Sequence, residues 1–133
     1  MYLPPTGIIS KESTYSVKES IDRLQKVLQA KGIVVFARID QQAEAGKVGL
    51  DLSPIELIIF GNPKAGTPVM AALPLAGLDL PLKILAWQDN EQRVWLSYNE
   101  PMYIQQRYSL SDILIKNLDP GPLVELALAE DNH

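Results

Sequence analysis

The sequence contains no cysteine, and its only histidine, His133, is the last of 133 residues. The absence of cysteine excludes a disulfide scaffold, a thiolate nucleophile and a cysteine-ligated metal site. Without an internal histidine, Ser-His-Asp and Cys-His catalytic arrangements are excluded as well. The closest carboxylate groupings, Asp40 with Glu44 and Asp89 with Glu91, form neither a calcium-loop nor a zinc pattern. We therefore assign no catalytic residue and expect neither a metal nor a cofactor.

Long apolar runs and an excess of basic residues are also missing. No stretch approaches the roughly 20 apolar residues that cross a bilayer, and the N-terminus lacks the basic start and apolar stretch of a signal peptide. The chain has 12 Lys and Arg against 16 Asp and Glu, for a net charge of −4. Its basic residues are scattered, whereas nucleic-acid-binding proteins gather them on one face. We expect a cytoplasmic protein that binds neither nucleic acid nor a membrane.

What is present is the composition of one ordinary globular domain. Of the 133 residues, 47% are apolar and 21% are charged, so the chain can bury a core without disulfides. No linker, internal repeat or low-complexity tract divides it. We predict a single domain over residues 1–133, with a helical tail over 111–133.

Hydrophobic periodicity predicts the elements. A capping box at Ser16 and Glu19 begins a helix over about 17–31. Strands are predicted over 7–14, 33–39, 56–60, 82–87 and 93–98, and further helices over 41–46, 69–73, 100–107, 111–118 and 123–129. The polar residues 89–92 join the last two strands as a hairpin. The apolar run 57–60 predicts a central strand that is buried on both faces. The fold class is therefore α+β, a largely antiparallel sheet packed by helices.

The segment 58–68 combines a strand, a Gly/Pro-rich turn and a helix start. Gly61 and Gly66 have the spacing of a phosphate-binding P-loop, but Thr67 follows Gly66 where that motif requires lysine. A nucleotide hydrolase is therefore excluded. Thr67 is predicted to cap the helix, with Pro68 at its first position, which leaves main-chain N–H groups open to an anion.

We predict from this segment a non-catalytic module that binds a small polar or anionic ligand. The donors are Asn62, Lys64, Gly66 and Thr67, joined by Arg38, Tyr98 and Arg107 if the sheet brings them together. The plain alternative is that the two glycines only permit unusual backbone conformations and that residues 62–63 make a turn.

The aromatic residues predict a second function. Trp87, Trp95, Tyr98, Tyr103 and Tyr108 are concentrated in the hairpin and in the helix after it. Along the last strand, Trp95 and Ser97 face one side while Val94, Leu96 and Tyr98 face the other. One set is expected to fill the core, and the other either covers a partner subunit, lines a pocket or makes only ordinary packing at the edge of the core. The alternative hypothesis is therefore a homodimeric structural or interaction protein. A third is an enzyme that uses carboxylates, such as Asp51 and Asp79, or tyrosine.

Several ordered motifs between residues 14 and 110 resemble domain-of-unknown-function family 302. They are Ile39-Asp40, residues 58–63 with Gly66-Thr67-Pro68, residues 78–83, and residues 94–101 with Arg107. The resemblance implies one α+β domain with an antiparallel sheet packed by helices, often found as a dimer, and no assigned activity. Members of the family commonly carry histidine where this chain has Gln41 and Tyr108. If those imidazoles bind metal or transfer protons in relatives, this chain lacks the groups.

Overall fold

The longest helix, α1 (Val17–Ala30), begins where the capping box predicts it. In the computed structural model, which describes residues 5–129, the Ser16 hydroxyl accepts a hydrogen bond from the Glu19 N–H at 3.0 Å. The Ser side chain thereby satisfies an amide that has no partner inside the helix. The buried residues of the apolar stripe are Val17, Ile21, Leu24 and Leu28.

Strands and short helices alternate along the rest of the chain. The strands are β1 (Ile8–Ser13), β2 (Val34–Asp40), β3 (Ile55–Gly61), β4 (Leu82–Gln88) and β5 (Val94–Asn99). The helices after α1 are α2 (Gln41–Lys47), α3 (Pro63–Ala72), α4 (Pro101–Tyr108), α5 (Asp112–Ile115) and α6 (Gly121–Leu128), with a 3₁₀ helix over Pro74–Leu78. The predicted strands are all present, and their ends shift by one or two residues at most positions.

The five strands form one sheet in the order β1-β5-β4-β3-β2. Every neighbouring pair is antiparallel. Helices α1 and α6 pack on one face of the sheet, where they meet Ile58, Ile84 and Leu96 in a fully buried core. The prediction of an α+β fold with an antiparallel sheet is confirmed.

The other face of the sheet has no helix laid across it within residues 5–129. We call it the open face; its half-buried apolar residues include Ala37, Ile39, Ile55, Leu57, Ile59, Leu85, Trp87 and Trp95. They are partly buried by their neighbours in the sheet, whereas the residues between them point into the core. The alternation predicted for β5 is confirmed, since Val94, Leu96 and Tyr98 belong to the core.

The prediction that β3 is a central strand buried on both faces is wrong. β3 is second from the edge of the sheet, and its residues alternate between buried and half-buried. Leu57 and Ile59 are apolar but lie on the open face. The apolar run 57–60 is unbroken because β3 has apolar residues both on the core face and on the open face of the sheet.

The prediction that Thr67 caps a helix over 69–73 is also wrong, because α3 begins five residues earlier. Asn62 is the N-cap and Pro63 the first helical residue. This pair is a capping residue followed by proline, as Thr67 and Pro68 are. Pro68 lies inside the helix. In the tail, α5 covers only four of the residues predicted over 111–118.

A second buried cluster joins the helices that follow β3 and β5. Val69 of α3, Ile104 of α4 and Ile115 of α5 meet there, together with Ala76 and Leu80 of the intervening segment. This cluster fixes α3 against α5, and the cavity described below lies between α3, the sheet and the segment that follows α5.

Candidate functional site

A cavity of about 190 Å³ lies where β3 ends, α3 begins and β4 starts. The segment that connects α5 to α6 forms its remaining wall. Three of the sequence-predicted ligand residues, Asn62, Gly66 and Thr67, line it. The fold therefore places the most unusual segment of the sequence at the wall of a cavity.

The walls of this cavity are mainly apolar. Phe60 and Leu82 form the side towards the sheet, and Leu118 and Leu123 form the side towards α5 and α6. No Lys or Arg among residues 5–129 lines it. Such a surface excludes water from a ligand and provides no counter-charge for an anion.

A β-bulge in β2 supplies the aromatic residue at the rim. The register of β2 against β3 shifts between Val35 and Ala37, so Phe36 is the extra residue. An extra residue redirects its side chain, and the Phe36 ring lines the cavity while 54% of it stays exposed. A Cβ atom on Gly61 would lie 3.3 Å from Phe36 Cε2 and 3.5 Å from Pro81 Cβ. Glycine at position 61 therefore permits this ring to approach the backbone.

The main-chain amides at the start of α3 are already hydrogen-bonded within the chain. The Asn62 side chain accepts from the Lys64 N–H at 3.0 Å. The Asn62 carbonyl accepts from the N–H groups of Ala65, at 2.8 Å, and Gly66, at 3.0 Å. The sequence-based expectation that these amides are open to an anion is therefore wrong, because the helix starts at Pro63 and uses them itself.

Four polar side chains line the cavity: Asn62, Thr67, Asn117 and Asp119. Asn62 caps α3 through its oxygen, which leaves its NH₂ group as a donor. Asp119 Oδ1 accepts from the Gly121 N–H at 2.9 Å at the start of α6, while its second oxygen has no hydrogen bond to residues 5–129. The cavity thus combines an apolar body with a few polar groups.

Arg38 does not join this site. It lies on β2, directed towards α1, with its Nε 2.6 Å from Glu56 Oε2 and its Nη1 2.7 Å from Asp22 Oδ1. Nη1 also donates to Gln25 Oε1 at 2.8 Å. Burial disfavours the charged guanidinium, but the hydrogen bonds to Glu56 and Asp22 raise its pKa above the ordinary value. Its role is to neutralise a buried carboxylate.

Tyr98 lies in the core behind the cavity wall. Its hydroxyl would be 3.3 Å from a Cβ atom on Gly121, next to the turn that carries Asp119. Burial raises the pKa of Tyr98, and the negative charges of Asp119 and Glu125 raise it further. The ring packs against the same core as Leu123 and does not line the cavity.

Lys64 and Arg107 are also outside the cavity lining. Lys64 is exposed on the first turn of α3. Arg107 Nη1 lies 3.1 Å from Asp79 Oδ2, and the Tyr108 hydroxyl donates to the same oxygen at 2.5 Å. That hydrogen bond raises the pKa of Tyr108. Tyr108 is thus held by Asp79, away from the cavity.

The open face forms the second candidate surface. Trp87 of β4 and Trp95 of β5 are directly opposite each other. Both indole N–H groups are already satisfied, Trp87 by Ser97 Oγ at 2.8 Å and Trp95 by Asp89 Oδ2 at 2.9 Å. The two rings therefore present apolar area without an unpaired donor.

The comparison with known proteins supports one family. The profile of "Domain of unknown function DUF302" matches residues 9–120. The crystal structure of the uncharacterized conserved protein DUF302 from Bacillus stearothermophilus matches with a TM-score of 0.76 over 93% of this chain and 97% of that chain. Its sequence identity is 20%, so this match shows the fold alone.

Longer relatives carry a name that describes a whole channel protein. Two proteins named Fluoride-specific ion channel FluC 1, from Brucella suis biovar 1 (strain 1330) and Brucella abortus biovar 1 (strain 9-941), are 44% identical to the chain over 119 residues. The match covers 87% of this chain but 47% and 44% of those proteins, so the chain spans less than half their length. In the part of the chain described by the structure, no helix combines the length and apolar composition needed to cross a bilayer. The cytoplasmic location stays a prediction.

Proposed function

Because the chain belongs to the DUF302 family, for which no activity is established, we propose its function from its own geometry: it binds a small, mostly apolar molecule in the cavity beside α3. The observation that carries this proposal is the cavity itself, about 190 Å³ in volume and lined by apolar side chains with four polar ones. Binding sites for small molecules have this composition. Asn62, Gly66 and Thr67, which the sequence predicts as donors to a ligand, line this cavity.

The volume limits the size of the ligand. A dry apolar cavity of about 150 Å³ accommodates benzene, so about 190 Å³ accommodates one ring with a short substituent. Drug-sized ligands occupy about 300 Å³ or more. An uncharged molecule such as benzyl alcohol fits both the size and the apolar wall, and it serves as a probe.

The Gly66→Phe variant tests this proposal. Gly66 lies inside α3, and a Cβ atom there would meet only Met70 Cε, at 3.9 Å, so the helix accepts a side chain. Phenylalanine then occupies space at the cavity wall. In the native chain we expect benzyl alcohol to shift the amide NMR signals of residues 61–67, and in Gly66→Phe we expect no shift. The free energy of unfolding should stay within about 1 kcal/mol, since glycine is the poorer helix former.

Gly46→Phe provides the matched control. Gly46 is also inside a helix, α2, with no atom within 4 Å of a Cβ atom built on it, and it does not line the cavity. It should bind benzyl alcohol as the native chain does. If Gly66→Phe also keeps native affinity, or if the native chain shows no response, the ligand proposal is wrong.

A second candidate function is supported by the open face. We propose that it packs against the open face of a second copy. Six residues of about 3.3 Å in five strands about 4.8 Å apart give a face of about 24 by 20 Å. Two such faces bury roughly 1,000 Å², which is the lower limit for a stable interface.

The charges on the open face support a second copy as the occupant. In a two-fold dimer the same patch meets itself, so a patch with one sign of charge would repel its copy. The strand residues on this face include one acid and one base, Glu12 and Lys83. Sedimentation at micromolar concentration should give a mass of twice 14.7 kDa; a monomer at that concentration contradicts this second proposal.

A further inference from the structure

Among residues 5–129 the cavity lining contains one carboxylate and no cation, and we propose that its ligand is a small hydrophobic amine whose protonated nitrogen contacts Asp119. This inference rests on the proposed function, because it names the chemical class of molecule that the same cavity binds. The sequence of the glycine-rich segment predicts a polar or anionic ligand, whereas this inference assigns a cationic one.

The cavity lining carries charge of one sign. Asp119 is the charged residue among its lining side chains, and within residues 5–129 no Lys or Arg forms a salt bridge with it. A carboxylate attracts a cation and repels an anion, and because Asp119 is exposed to solvent, water weakens both effects without removing them. A carboxylate ligand would therefore meet repulsion from Asp119, and only the neutral donors of Asn62, Thr67 and Asn117 would favour it.

One carboxylate oxygen of Asp119 can accept a hydrogen bond from a ligand. Its Oδ1 is occupied by the Gly121 N–H at 2.9 Å, which orients the carboxylate at the start of α6. Oδ2 has no partner among the described residues. An ionised carboxylate accepts several hydrogen bonds and donates none, so the ligand group that completes it is a donor. An ammonium group offers three donors with a positive charge.

The aromatic residues of the lining favour a ligand with an aromatic ring. Phe36 and Phe60 both line the cavity, and aromatic faces attract a cation as well as another ring. The cavity exceeds the volume that accommodates benzene by about 40 Å³. One water occupies about 30 Å³, so this remainder holds one or two further non-hydrogen atoms. A single ring with a methylamine group satisfies both limits.

The experiment compares three probes of almost equal shape: benzylamine, benzyl alcohol and benzoate. Protein-observed NMR titrations at pH 7 measure the dissociation constant of each from the signals of residues 61–67. We expect benzylamine to bind about fivefold tighter than benzyl alcohol, the upper range for a partly exposed ion pair, and benzoate to bind weakest.

The Asp119→Asn variant removes the charge while its amide oxygen can still accept from Gly121. It should reduce benzylamine affinity to about that of benzyl alcohol, and it should affect benzyl alcohol less, since an alcohol has no charge for the carboxylate to attract. Glu125→Gln makes the same change in net charge on α6 outside the cavity lining, and it should keep the preference for benzylamine.

The outcomes separate this inference from the function on which it rests. If benzyl alcohol binds as tightly as benzylamine, or if Glu125→Gln removes the preference as fully as Asp119→Asn, the amine assignment is overturned while ligand binding stands. If none of the three probes shifts the signals of residues 61–67, both the amine assignment and the proposed function are overturned.

Discussion

Replacing Arg38 with methionine is expected to lower the free energy of unfolding by about 3 kcal/mol, because it leaves a buried carboxylate without its partner. The Glu56 side chain is only 8% exposed, and its Oε2 lies 2.6 Å from Arg38 Nε. The Arg38 side chain is 25% exposed, so solvent screens this pair little. Methionine keeps the apolar stem but supplies no charge to Glu56 or Asp22. Urea denaturation at pH 7 measures the loss.

A double variant distinguishes the lost pair from a general packing defect. In Arg38→Met with Glu56→Leu, the unpaired carboxylate is gone, so most of the lost stability should return. The control is Arg93→Met, because Arg93 is exposed and its Nε is 3.8 Å from Glu91 Oε2; its cost should stay below about 0.5 kcal/mol. Equal losses in Arg38→Met and Arg93→Met would contradict the structural role assigned to Arg38.

The same variant separates the ligand role that the sequence predicts for Arg38 from the structural role that its contact with Glu56 indicates. As a ligand residue, Arg38 would change affinity and leave stability largely intact. As the partner of Glu56, it changes stability and leaves the affinity for benzyl alcohol unchanged under folding conditions. The geometry favours the second role, since Arg38 bonds Asp22 and Gln25 of α1 and does not line the cavity.

Features set by neighbours in sequence were predictable, and α1 shows why. Its cap, stripe and end depend on residues within a few turns of one another, so the pattern contains the information. The hairpin of β4 and β5 is similar. The start of α3 was not predictable in this way. Asn62 and Thr67 are both capping residues followed by proline, and helix propensity alone does not indicate which of them begins the helix. The second cluster, which buries Val69 against α5 residues, supplies the contacts that decide.

The cavity was predictable only in part, because distant segments complete it. Asn62, Gly66 and Thr67 come from the segment that the sequence singles out. Phe36 lines the cavity because of a bulge, and periodicity does not reveal a shift in pairing. Asn117 and Asp119 come from a connection more than 50 positions later. Their only local signal is the Asp-Pro-Gly turn, which predicts a helix cap and no contact with α3.

Introducing a carboxylate at Leu85 is expected to convert the proposed dimer into a monomer. Leu85 lies on β4, the middle strand of the sheet, and on the open face between Leu57 and Ser97. In a two-fold packing of open faces, Leu85→Glu buries a carboxylate from each copy near the centre of the interface. Each unpaired buried charge costs about 4 kcal/mol, so the two carboxylates together raise the dissociation constant by at least about 1,000-fold.

The folded monomer should tolerate this change, because Leu85 is only half-buried when no partner covers the face. Circular dichroism should therefore match the native chain, while sedimentation gives half the mass. Val48→Glu adds the same charge at a residue that is 72% exposed and lies outside the sheet, so this control should remain a dimer. A Leu85→Glu protein that sediments like the native dimer would place the interface on another surface, since no face-to-face packing of these strands leaves that position in water.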